Sequence, residues 1–342
     1  MENLGSGWIS TSTTTINSTR FKNSFAFKKE KTGIMARSGF LGIQFVDVFS
    51  KGSGEVLDLV SDQPKVLISL TTSYFHLYHD HFGELLSQYE LTPDAKFVID
   101  ISAIADMDPL PHYIKMLFKI LNDKGVDYVS VDLRKVNRLN VNNLYYRDGK
   151  AESLEINDPS PRIRDAVQAY IKDKNAPANK KVFLSRKNFQ GRDLSFLIKG
   201  RLPYENDNRI DDEELLQKYF KSLGFEIVIP EDFKSFEDQI NYFDKVKVLV
   251  STTSSGFINA AFMRPGSLMF EVTTPLISFS SIGNGVTSPL SQCQEEIHHF
   301  YHMMSIALGH SYVSIPNKER SAEKIVSIID SSKVLKDILQ FS

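Results

Sequence analysis

The chain has 342 residues, a formal net charge of −2 and 42% hydrophobic residues, among them 24 phenylalanines and 13 tyrosines. That is enough apolar material for two well-filled domains, and the near-neutral charge gives no electrostatic case for nucleic acid or an anionic membrane. A single cysteine, Cys293, excludes an intrachain disulfide and a cysteine-based zinc site. No run of about 18 apolar residues is present to span a bilayer, and the first residues lack the apolar stretch of a secretory signal.

The stretch from Gly5 to Lys29 is rich in Ser and Thr, carries Arg20, Lys22, Lys28 and Lys29, and has no acid. Its composition resembles an organelle transit peptide, but it shows no amphipathic basic helix and reads as a tail over 1–35. A first α/β domain is expected over 36–160. Lys65 to Ser69 has the length and apolar content of a core strand, and Tyr74 to Glu90 reads as a helix. Lys96 to Ile101 follows as a strand. Pro111 then opens a strongly amphipathic helix that runs to Leu121 and stops at Lys124-Gly125. Tyr128–Val131 and Leu144–Tyr146 are further strands, and this alternation predicts a layered α/β unit.

Residues 149–162, polar and carrying Pro159 and Pro161, mark the domain junction. A second α/β domain is expected over 161–320, with 321–342 as a C-terminal helical segment packing back on the first. Helices are expected at Arg162–Lys172, Asp212–Leu223 and Ser235–Phe243, and strands at Val182–Leu184 and Phe225–Ile229. The organising stretch is 246–272. There a strand, Val246–Val250, runs through Ser251-Thr252-Thr253-Ser254-Ser255-Gly256 into a helix-like segment, Phe257–Met263, and a second strand, Leu268–Val272. A strand feeding a helix through small residues leaves backbone N–H groups aimed out of the helix N-terminus, where an anion can sit. A glycine there lets a phosphate approach the main chain. The plainer reading is an ordinary crossover with a polar loop. Helices at Cys293–Leu308 and Ala322–Leu339 close the chain. Two α/β domains with a cleft between them are the expected architecture, with ligands outside the carboxyl ends of the strands.

Three groups of residues are candidates for chemistry. On a helix over 74–90, Phe75, Tyr78, Phe82, Leu86 and Tyr89 share an apolar face, while His76, Asp80, Gly83 and Ser87 share the adjacent stripe. His81, Glu84 and Gln88 are expected to point away. A carboxylate beside a histidine at i, i+4 suits a general base, and Gly83 leaves room for something to approach. His76, His79 and Asp80 also invite a metal reading, but no second ligand cluster stands elsewhere in the sequence. Ser185-Arg186-Lys187 at a strand end can hold a pyrophosphate, or form a solvated basic loop. Glu271 can accept from ribose hydroxyls, or pair with a lysine.

Taken together, several pieces resemble family 61 glycosyltransferases. They are Ser185-Arg186-Lys187; Arg209-Ile210 with Asp212-Glu213-Glu214-Leu215; Phe225 to Glu231; Ser235-Phe236 with Gln239; Ser254 to Asn259; Phe262-Met263; Phe270-Glu271-Val272; and Leu308 to Tyr312. The N-terminal half matches chiefly through Tyr74-Phe75-His76 and His79-Asp80. That family includes plant xylan-decorating transferases, animal O-linked N-acetylglucosaminyltransferases and algal-virus xylosyltransferases. The resemblance implies a GT-B architecture of two Rossmann-like domains facing a central cleft. It also implies inverting transfer from a UDP-sugar to a glycan or glycoprotein hydroxyl, with no essential metal and no cofactor beyond the donor. UDP-xylose and UDP-N-acetylglucosamine are the leading donors. By position, Asp80 would be the base with His76 its neighbour. Ser185, Arg186 and Lys187, with the 253–256 loop (Thr253, Ser254, Ser255 and Gly256), would hold the diphosphate. Glu271 would meet the ribose, and Asn259 would fix the loop or touch the donor. Where many members have a Gly-x-His-Gly-Ala-Gly-like loop, this chain has Ser251 to Gly256, so the histidine contact is missing at Thr253. Lacking the anchor of Golgi members, it reads as a cytoplasmic enzyme, of the host cell if viral. A UDP-sugar epimerase of the same shape and a non-catalytic glycan- or nucleotide-binding module are the alternatives.

Overall fold

The computed structural model describes residues 8–17, 55–59, 61–70, 74–132, 135–147, 158–185, 210–273, 301–317 and 319–340. Two compact units divide the chain, Met1–Ile163 and Arg164–Ser342.

The first unit is built on strands β1 (Trp8–Asn17), β2 (Glu55–Leu59), β3 (Lys65–Ser69), β4 (Lys96–Asp100), β5 (Tyr128–Val131) and β6 (Val136–Arg147). They lie in the order β1-β6-β3-β4-β5, with β2 also on β6. β6-β3-β4-β5 is parallel throughout, whereas β1 runs antiparallel to β6. β3, β4 and β5 step one way across the sheet and β6 returns to the far side of β3, so the winding reverses between β3 and β6. Part of the expected N-terminal tail is thus a strand. Trp8–Asn17 holds four Thr and two Ile, and such β-branched residues suit a pleated ladder even when polar. Helix His112–Asp123 buries Ile114, Leu117, Ile120 and Leu121 on one face. It ends as the sequence predicts: Gly125 sits at φ +70 and Val126 N–H returns to the Leu121 carbonyl.

The second unit carries β7 (Lys180–Leu184), β8 (Glu226–Val228), β9 (Val246–Thr252), β10 (Leu268–Thr273) and β11 (Ser311–Pro316). All pairs are parallel, in the order β8-β7-β9-β10-β11. This is a doubly wound order whose reversal falls between β7 and β9. β10 is buried along its whole length and β9 nearly so, as continuous apolar strands in a parallel sheet require. Caps fix the helix starts. Asp212 accepts from Leu215 N–H before Glu213–Ser222, and Ser235 from Asp238 N–H before Phe236–Phe243.

The helix expected after β9 is wound as 3₁₀ over Ser255–Phe262. Its cause is local. The Asn259 side-chain amide donates to the Gly256 carbonyl at 2.8 Å, the carbonyl an α-helix would give to the N–H of Ala260. The terminal segment forms two helices, Ala322–Ser331 and Lys333–Gln340, rather than one. Ala322, Ile325, Ile329 and Leu339 pack in one core with Phe183, Phe220, Val250 and Phe270, so the segment belongs to the second unit. Among the described residues no helix is long and apolar enough to cross a membrane.

Candidate active site

In the first unit the reversal of winding places chemistry at one strand end. The helix over 74–91 follows β3, beginning as α at Tyr74–His76, loosening to π over Leu77–Phe82 and returning to α at Gly83–Leu91. π-turns are rare and concentrate at functional sites. His76 and Asp80 meet as expected, with His76 Nδ1 2.6 Å from Asp80 Oδ2 and each side chain 21% exposed. A carboxylate can only accept, so Nδ1–H donates, and a neutral ring in this tautomer has its lone pair on Nε2. The other carboxylate oxygen, Oδ1, accepts from His79 Nδ1 at 2.8 Å. Burial works against the Asp80 charge, yet hydrogen bonds from His76 and His79 outweigh it and hold the carboxyl well below its usual range. Asp80 alone is therefore a weak base, and His76 Nε2 is the better-matched acceptor for a proton.

Two expectations for this helix are corrected. His81 and Gln88 do not point away but are buried, because the π-turn rotates the residues beyond Leu77 relative to a regular helix. The room beside Gly83 is taken by the chain itself: a Cβ there would lie 2.5 Å from Pro159 Cβ and 2.9 Å from its Cγ. Gly83→Ala must push Pro159 away. We expect a loss of about 1–3 kcal/mol in urea unfolding.

In the second unit the loop after β9 meets the carboxyl end of β7 where the winding reverses. Leu184 is in register with Ser251, and a Cβ on Gly256 would lie 3.1 Å from Leu184 Cδ1. Ser255 and Gly256 are half-exposed there, and among the described residues no carbonyl takes their N–H groups. The other expected donor-binding residues turn inward. Ser185, 2% exposed, donates to Glu213 at 2.6 Å and accepts from Gln217 at 2.9 Å. Ser254 Oγ bonds Ser251 Oγ, and its carbonyl accepts from Tyr301. Thr253 donates to Glu271 Oε1 at 2.6 Å, and Tyr312 donates to Glu271 Oε2. Asn259 spends its amide on Gly256 and its carbonyl oxygen on Gln239. Glu271 and Asn259 are fully buried, so both hold the loop from behind. Arg186 and Lys187 lie outside the described residues.

Sequence reasoning missed three partners. Asp158 sits in the stretch read as a junction and reaches His79 across 79 residues. Gln239 and Tyr312, which hold Asn259 and Glu271, lie 20 and 41 residues from their partners. Only the local signal Asp158-Pro159-Ser160, a helix-opening turn, was on view.

Two buried histidines give the units opposite pH responses. Burial, reinforced by Arg164 and Lys247 and only partly offset by a bond to the Ala260 carbonyl, holds His310 down to about 4. The unfolded chain takes up that proton first, near 6.5, so this contribution is complete above 6.5 and is lost as pH falls toward 4. For His79, burial opposes the charge, but hydrogen bonds to Asp158 and Asp80 push it up to about 10. Its contribution is complete below 6.5 and is lost as pH rises toward 10. Hydrogen exchange across this range is expected to show the second unit weakening first on the acid side and the first unit on the alkaline side. His310→Gln removes the acid-side slope between 6.5 and 4.

No curated protein matches this chain. The family model described as Glycosyltransferase 61 matches residues 74–270, from the helix bearing His76 and Asp80 to the strand bearing Glu271. That is more than half of the chain and takes in residues of both units. The chain therefore belongs to glycosyltransferase family 61 and is a glycosyltransferase.

Proposed function

We propose that the protein transfers a sugar, xylose or N-acetylglucosamine first among the candidates, from a UDP-sugar to a hydroxyl of a glycan or glycoprotein, with inversion and without an essential metal. The observation that carries the reading is the 2.6 Å His76–Asp80 hydrogen bond at the switch-point end of β3 in a chain of this family. The acceptor O–H loses its proton to His76 Nε2 as its oxygen attacks the anomeric carbon. The bond from that carbon to the diphosphate oxygen breaks, and UDP leaves with the electron pair. Asp80 orients the imidazole and stabilises the imidazolium that forms, a division of roles familiar from carboxylate–histidine pairs.

The donor belongs to the second unit in this reading, its diphosphate on the N–H groups of Ser255 and Gly256 with Arg186 and Lys187 as counter-charges. Ser185, Thr253, Ser254, Asn259 and Glu271 then act behind the loop, giving it a fixed shape. The two parallel-sheet units are the two halves of a GT-B organisation, the first taking the acceptor. Family membership favours transfer over the epimerase and binding-module alternatives.

A panel of UDP-sugars assayed for UDP release, with and without EDTA, tests this. One donor is expected to be turned over, unchanged in EDTA, and the transferred sugar is expected in the inverted configuration. Interconversion of the sugar without UDP release, or binding without turnover across a broad acceptor set, contradicts it. Arg186→Ala is expected to weaken UDP by about 1.5–3 kcal/mol in calorimetry, the worth of a hydrogen bond to a charged group; equal affinity removes it from the site.

A further inference from the structure

The His76–Asp80 pair is the outer end of a longer row of titratable groups. Asp80 passes its second oxygen to His79, and His79 Nε2 lies 3.2 Å from Asp158 Oδ2. Asp158 is held in turn, its Oδ1 accepting the Ser160 N–H at 2.8 Å where helix Ser160–Val167 begins. Both carboxylates only accept, so both His79 nitrogens donate and the ring is an imidazolium. The ring stacks on Phe75 at 4.9 Å and its side chain is 7% exposed, with that of Asp158 at 8%. A charge so placed persists only when opposite charge meets it on both sides. Gly83 is what lets the segment carrying Asp158 come this close, since any side chain there meets Pro159.

We propose that Asp158 is a positioning residue for the transfer reaction: by holding His79 as an imidazolium it fixes Asp80 and offsets part of its charge, and so sets the proton affinity of His76. The inference rests on the transferase reading above. The titratable groups acting on His79 are Asp80 and Asp158, those acting on Asp80 are His76 and His79, and His79 acts on Asp158. The helix over 74–91 thus supplies three members and the 158–160 segment the fourth. With Asp158 neutralised, His79 gives up its second proton more readily. Asp80 is then less compensated, and His76 binds a proton more tightly. His76 must be neutral to accept the proton of the incoming hydroxyl, so the acid limb of the pH–rate profile moves upward.

Two measurements test this. In ¹⁵N-histidine NMR of the wild-type protein at pH 8, His79 is expected with both ring nitrogens protonated; a neutral single tautomer overturns the proposal whatever the activity. In pH profiles of transfer, Asp158→Asn is expected to raise the acid limb by about one unit, with donor KM unchanged, and Asp158→Glu to return it toward wild type. An unshifted limb on an active enzyme overturns the inference and leaves the transferase reading standing. Turnover of no donor by the wild type removes both.

Discussion

Replacing His76 with alanine is expected to lower sugar transfer by about 10²–10⁴-fold, the usual worth of a positioned general base, while UDP affinity stays within about twofold. With Nδ1 donating to Asp80, the neutral ring offers Nε2 as its proton acceptor. Asp80 has both oxygens occupied, by His76 at 2.6 Å and His79 at 2.8 Å. Asp80→Asn is expected to cost a similar factor by another route. An amide offers one acceptor where the carboxylate offered two, so its NH₂ must face a ring N–H of His76 or His79. His76 then loses its orientation or its tautomer. Parallel rate and UDP-binding measurements on both variants check this. A loss of UDP affinity as large as the loss of rate removes the base assignment.

Glu271→Ala is the change expected to cost the second unit most. The carboxylate is fully buried in β10 and accepts from Thr253 on the β9 loop and from Tyr312 on β11. Removing it takes this acceptor from both hydroxyls, at about 1–3 kcal/mol for a buried group, and opens a void. A total of about 2–4 kcal/mol is expected in urea unfolding followed by circular dichroism, the half-buried Tyr312 recovering part of its loss from water. Glu271→Gln keeps the volume, and the hydroxyls can rotate to bond an amide, so about 1 kcal/mol is expected. Equal stability of Glu271→Ala and wild type contradicts the loop-holding role. Since Thr253 leads into Ser254-Ser255-Gly256, loss of UDP affinity is expected to accompany the loss of stability.

Much of the fold is legible because its signals are local. The buried runs Lys65–Ser69 and Val246–Val250, the cap at Ser235 and the stop at Gly125 each follow from a few neighbouring residues. The His76–Asp80 contact is of the same kind, since i, i+4 neighbours on a helix need no tertiary information. What stays hidden is long-range. The Ser/Thr-rich start becomes a strand because β6 offers it a partner from Arg138 to Arg147. The space at Gly83 is filled by Pro159 from the far end of the unit. The resemblance places Thr253 and Glu271 against the donor. Here they face each other at 2.6 Å, the β9 loop against β10. Asp158 shows the same limit most plainly: nothing in a polar junction marks one carboxylate as the partner of a histidine on a distant helix.

A crystal structure grown with UDP tests the account most directly. The diphosphate is expected within hydrogen-bonding distance of the Ser255 and Gly256 N–H groups, beside the carboxyl ends of β7 and β9. Nucleotide seated elsewhere on the second unit, or on the first, contradicts it.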